Sequence, residues 1–160
     1  MKPASALGMR SNRPLTEFAC THLGFFLTGH YEGTGQRSKG NTSIVYDIKE
    51  DVQAFKVLLY DEKILEVIMT NWKAQSVKVG FTSCFDDEGK PTTTTIERLN
   101  GLLDRLGSYR IIPENIRVFR DPSQGVAYIG SGDNKVAVGE KYTQAVMITP
   151  IGISHTQEAA

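Results

Sequence analysis

The chain has 160 residues, 40% of them hydrophobic and 22% charged, with 18 Lys plus Arg against 18 Asp plus Glu. That is the size and make-up of one globular domain with a single core, and a net charge of 0 excludes the broad positive field of a non-specific nucleic-acid binder. No stretch approaches the ~20 apolar residues of a membrane span, the start lacks an apolar signal core, and Cys20 and Cys84 form no CxxC motif for zinc or redox chemistry.

Residues 1–14 are small, polar and Pro-bearing, which predicts an extended or disordered start. Leu15 to Leu27 is apolar enough for burial. Pro14 ahead of Thr16 and Glu17 fits the opening of a short helix, and Phe25-Phe26-Leu27 fits a strand. Gly29 to Gly40 holds several glycines among Thr34, Gln36, Arg37, Ser38 and Lys39, which predicts a flexible loop. Residues 1–41 therefore read as an amino-terminal arm with a Gly-rich loop. The arm is mildly basic, with Lys2, Arg10, Arg13, Arg37 and Lys39 against Glu17 and Glu32.

From residue 42 the pattern changes to strands. Thr42-Ser43-Ile44-Val45-Tyr46-Asp47-Ile48 is β-branched and aromatic. Phe55–Tyr60 and Ile64–Met69 flank Asp61-Glu62-Lys63 as a hairpin, and Val77–Ser83 alternates as a fourth strand. Asp86-Asp87-Glu88-Gly89-Lys90-Pro91 is turn chemistry. Ile96, Leu99, Leu102, Leu103 and Leu106 then share one stripe at 3.6 residues per turn, so the spacing predicts an amphipathic helix over about 93–106. Thr93 or Thr94 is placed to cap it, with Glu97 completing a capping box after Thr94, and Gly107 is placed to end it.

Four short strands follow at Ile116–Arg120, Val126–Ile129, Lys135–Val138 and Ala145–Thr149, and residues 150–160 read as a surface tail. The fold expected is α+β: a mixed or antiparallel sheet of six to eight short strands, with one principal helix packed on one face. Residues 42–149 form the single domain.

The residues offer little chemistry. Gly35 to Thr42 resembles a phosphate loop, but Asn41 stands where the lysine belongs and a strand follows instead of a helix. Cys20, His22 and His30 lack the spacing of a ligand set, so no metal or cofactor is expected. No nucleophile–base pair emerges from spacing, and no catalytic residue is assigned. For binding, the candidates are Arg10, Arg13, Arg37 and Lys39 as phosphate contacts and Trp72 as a stacking or anchoring ring. Arg117 and Phe119 share one face of a strand, as in sheets that hold single-stranded nucleic acid.

Gly40-Asn41-Thr42 leading a strand, Trp72, Thr92-Thr93-Thr94-Thr95 and then Arg98-Leu99-Asn100 together resemble a small uncharacterised domain of tailed bacteriophages and bacterial mobile elements. The resemblance covers residues 40–100. It implies a phage or mobile-element setting, hence the host cytoplasm or the virion, and no named site. The function expected is non-enzymatic binding of a macromolecule. A host or virion protein is the expected partner, with nucleic acid held by the basic arm, or an enzyme whose site only folding assembles, as alternatives.

Overall fold

The computed structural model describes residues 2–81, 92–121, 126–132, 134–138 and 145–155. Two helices and ten strands follow one another as α1 (Lys2–Leu27), β1 (Gly33–Lys39), β2 (Thr42–Ile48), β3 (Val52–Leu59), β4 (Glu62–Thr70), β5 (Lys73–Gly80), α2 (Thr93–Ser108), β6 (Arg117–Asp121), β7 (Val126–Ser131), β8 (Asn134–Val138), β9 (Ala145–Thr149) and β10 (Gly152–His155). Seven strands form one antiparallel sheet in the order β1-β2-β3-β4-β5-β9-β10, and three form a second in the order β6-β7-β8. The fold is α+β with the sheet predominating, as the sequence pattern predicts.

Alternation decides which face is buried. Cross-strand neighbours Ile44, Val57 and Leu65 and neighbours Tyr46, Phe55 and Val67 point into the core, continued by Val77, Val79, Val146 and Ile148. The opposite face carries the row Val45, Lys56, Glu66, Lys78 and Met147 and is only half-buried. One face dry and one wet is the usual state of an antiparallel sheet. The hairpins β3–β4 and β4–β5 turn without glycine: Tyr60 and Asp61 stand at φ 51° and 66°, Asn71 and Trp72 at 51° and 63°. Two consecutive left-handed residues match the twist of the strands they join. Buried Gln53 ties the second turn down, accepting from Trp72 N at 2.8 Å and donating to the carbonyls of Lys49 and Glu50.

Helix α2 is the predicted leucine stripe. Leu99, Leu102, Leu103 and Leu106 are buried, and the helix packs against α1, β4 and β6. Its cap differs from expectation. Thr92 is the N-cap, its hydroxyl meets Thr95 Oγ1 at 2.8 Å instead of a backbone N–H, and no capping box forms. Across the helix, Asn100 donates to Val118 O at 2.9 Å and accepts from Val118 N at 2.7 Å, which satisfies the outer edge of β6. Replacing Asn100 by Ala leaves both backbone groups of buried Val118 unpaired and should cost about 2 kcal/mol. Asn100→Asp, which keeps the acceptor alone, should fall between the two in urea unfolding.

Three expectations are corrected. The amino-terminal arm is a helix that belongs to the body: Ala19, Leu23 and Phe26 of α1 are fully buried, and Gly101 of α2 lies so close that a Cβ there would sit 2.4 Å from Thr16 Cγ2. α1 ends in a Schellman turn, with Gly29 at φ 75° and the amides of Gly29 and His30 donating to Phe26 and Phe25. The Gly-rich loop is strand β1, because pairing with β2 organises it and the Tyr46 ring lies flat on Gly35, where a Cβ would meet the phenol oxygen at 2.2 Å. The tail contains β10, since Gly152 to His155 pair back onto β9. The acidic turn at 86–91 and Cys84 lie outside the described residues.

Arg98 is fully buried at the seam of α1, α2 and β2. Its Nε donates to Thr16 Oγ1 at 3.1 Å and its Nη1 to Thr42 Oγ1, while Nη2 has no partner among the described residues. Burial holds its pKa below the usual arginine value.

Candidate functional site

The three-stranded sheet is two-faced. Val118, Ala127, Ile129 and Val138 join the core beside α2, so the alternate residues of β6, β7 and β8 face out. Register places Phe119 opposite Tyr128 and Tyr128 opposite Ala137; the neighbouring row is Arg117, Gly130 and Lys135. The two rings lie 5.8 Å apart at 30°, and Phe119 remains 37% exposed. Lys135 Nζ sits 4.6 Å above the Tyr128 ring and 5.8 Å from that of Phe119. The neighbours of Tyr128 in these rows are small, Ala137 on β8 and Gly130 two residues along β7. Gly130 is also required by packing, since a Cβ there would stand 2.0 Å from Asn134 O.

A groove of about 590 Å³ adjoins this face, and Lys135 lines both. Its walls are β8, through Asn134 and Val136, and β10, through Gly152 and Ile153, each the outermost strand of its sheet among the described residues. Ile151 stands at its rim, 96% exposed.

Of the residues expected from the sequence to bind, Arg117 and Phe119 are brought together here. The others are placed elsewhere. Arg10 lies on α1, its side chain outside the described residues. Arg13 is exposed on α1 and paired with Glu17 at 3.5 Å. Arg37 and Lys39 lie on edge strand β1, the Arg37 guanidinium 6.0 Å from the Tyr46 ring centre. Trp72 is in the β4–β5 turn, 40% exposed, and its ring packs 6.1 Å from that of Phe26 at the end of α1. Tyr128 and Lys135 were not singled out from the sequence. The alternation Val126–Ile129 was visible, but only the pairing of β6 with β7 and of β7 with β8 shows that it points Tyr128 at Phe119.

A second aromatic group on α1 is occupied internally. Tyr46 stacks on Tyr31 at 4.1 Å, Tyr31 hydrogen-bonds His22 Nδ1, and Phe18 and Phe25 edge onto the imidazole. Burial, then the Arg37 charge, holds His22 below its ordinary value, so the ring is neutral at pH 7. His30 Nδ1 meets Thr28 Oγ1 at 2.7 Å, so both described imidazoles face hydroxyls, not carboxylates. Burial pushes the Cys20 thiol up to about 11, which leaves it protonated and unreactive at neutral pH. Among the described residues no three His, Cys, Asp or Glu side chains gather as a metal site, and no helix is long and apolar enough to cross a membrane. Comparison of the chain with family models, with curated proteins and with solved structures finds no match in any of the three.

Proposed function

We propose that the protein is a non-enzymatic macromolecule-binding module whose docking surface is the outer face of the three-stranded sheet. The observation that supports this most directly is the pair of stacked rings, Phe119 and Tyr128, on the outer face beside the row that holds Arg117 and Lys135. Aromatic rings and arginine are the side chains that carry most of the energy at binding surfaces, and a rigid sheet holds them in place at little entropic cost. A phage or mobile-element setting, with the module acting on a host factor or forming part of the virion, rests on the sequence resemblance alone.

The test is affinity capture from a bacterial lysate with the wild type and a Phe119→Ala/Tyr128→Ala variant of unchanged melting temperature. A partner held by the wild type and lost from the variant is the expected result. Equal recovery on both proteins overturns the reading, as does the lack of any specific partner. One observation favours a second reading. The edges of β8 and β10, outermost in their sheets among the described residues, face one groove, where an extended strand of a protein partner would find main-chain donors and acceptors. Proline substitutions at Val136 and Ile153 would then abolish capture, whereas the ring variant would leave it intact.

A further inference from the structure

We propose that the outer face of the three-stranded sheet binds single-stranded nucleic acid, with two successive bases stacking on Phe119 and Tyr128 and the adjoining phosphates meeting Arg117 and Lys135; this rests on the reading of that face as the docking surface. The rings are cross-strand neighbours held nearly parallel, and neither has a bulky side chain beside it on the third strand, where Ala137 stands. Every base offers a π-face, so such a pair accepts unstacked bases without reading sequence. A duplex keeps its bases stacked inside, and the rings cannot reach them.

The cations are placed for the backbone. Arg117 and Lys135 occupy the row next to the rings with side-chain-free Gly130 between them, so a chain crossing the rings passes between two positive groups. The acid of β6, Asp121, stands on the same face on the other side of Phe119 from Arg117 and is half-buried. Lys135 now rests over the rings, and its four-carbon stem lets the ammonium swing from ring to phosphate. A stacked base gains more from the ring than an exposed ammonium does, so the exchange favours the ligand. Charge complementarity thus favours a polyanion with planar groups over a protein surface. The whole chain is neutral, so affinity depends on this local pair instead of a general field.

Fluorescence anisotropy with labelled oligothymidylate and oligouridylate of about 12 nucleotides tests this. The wild type should bind both more tightly than a duplex of the same length. The salt slope of log affinity should be about −1.4, the value for two phosphate contacts on a single strand. Phe119→Ala and Phe119→Leu should each weaken binding about tenfold, the leucine variant keeping the apolar volume while losing the ring. Lys135→Gln should reduce the slope by about 0.7. Absence of binding at about 50 mM salt overturns the proposal, as does a duplex bound as tightly as the single strand or a Phe119→Leu variant that binds like the wild type. Should oligonucleotides fail while the double ring variant still loses a captured protein, the ligand assigned here is wrong and the docking surface stands. Should capture also be indifferent to the rings, both fall.

Discussion

Leu102→Ala lowers the free energy of unfolding by about 3 kcal/mol, within the range for emptying a leucine site in a close-packed core. Leu102 is fully buried at the middle of α2, a helix in contact with α1, with β4 of the large sheet and with β6 of the small one. The helix that carries it is held by all three surfaces, so α2 cannot shift into the space left by the missing atoms without drawing away from one of them. Urea unfolding reads the effect as a lower midpoint at an unchanged slope. A loss below about 1 kcal/mol would mean that α2 repacks freely, and the helix would then not set the position of the small sheet.

Gly130→Val costs about 3 kcal/mol by a different route, overpacking against main chain. A Cβ at Gly130 would stand 2.0 Å from Asn134 O and 2.6 Å from Lys135 Cα, and neither atom can rotate away as a flexible side chain would. The clash prises β8 from β7 at its first residues, which also carries Lys135 away from Tyr128. The variant should therefore melt lower and lose whatever the ring face binds. Ala137→Val, on the outer face of the same sheet, should leave stability within about 0.5 kcal/mol of the wild type. A Gly130→Val protein with wild-type melting would show that the two strands do not approach so closely.

What could be read in the chain beforehand follows the range of the forces involved. Thr42–Ile48 is β2 to the residue because its β-branched and aromatic side chains carry their own strand preference. The leucine stripe between Ile96 and Leu106 shows α2 because its period is local. Strand β1 has no such signal: Gly33, Gly35, Arg37 and Lys39 suit a loop, and only the partner strand and the ring of Tyr46 make it a strand. α1 hid its first turns because Pro3, Pro14 and the polar residues between them lower helix propensity. The binding face was half legible for the same reason. Arg117 and Phe119 lie two residues apart on one strand, so alternation alone puts them together. Tyr128 and Lys135 reach them through β-pairings whose register no single segment encodes.

The lone guanidinium of Arg98 has a consequence for how the molecule comes apart. An ion shut away with two hydroxyls as its hydrogen-bond partners among the described residues is better solvated in water than where it sits, so the junction it occupies gains from hydration what the surrounding leucines lose. The helical layer is thus the part of the body most ready to lift, and the large sheet, stitched by antiparallel ladders from β1 to β10, is what stays intact when it does.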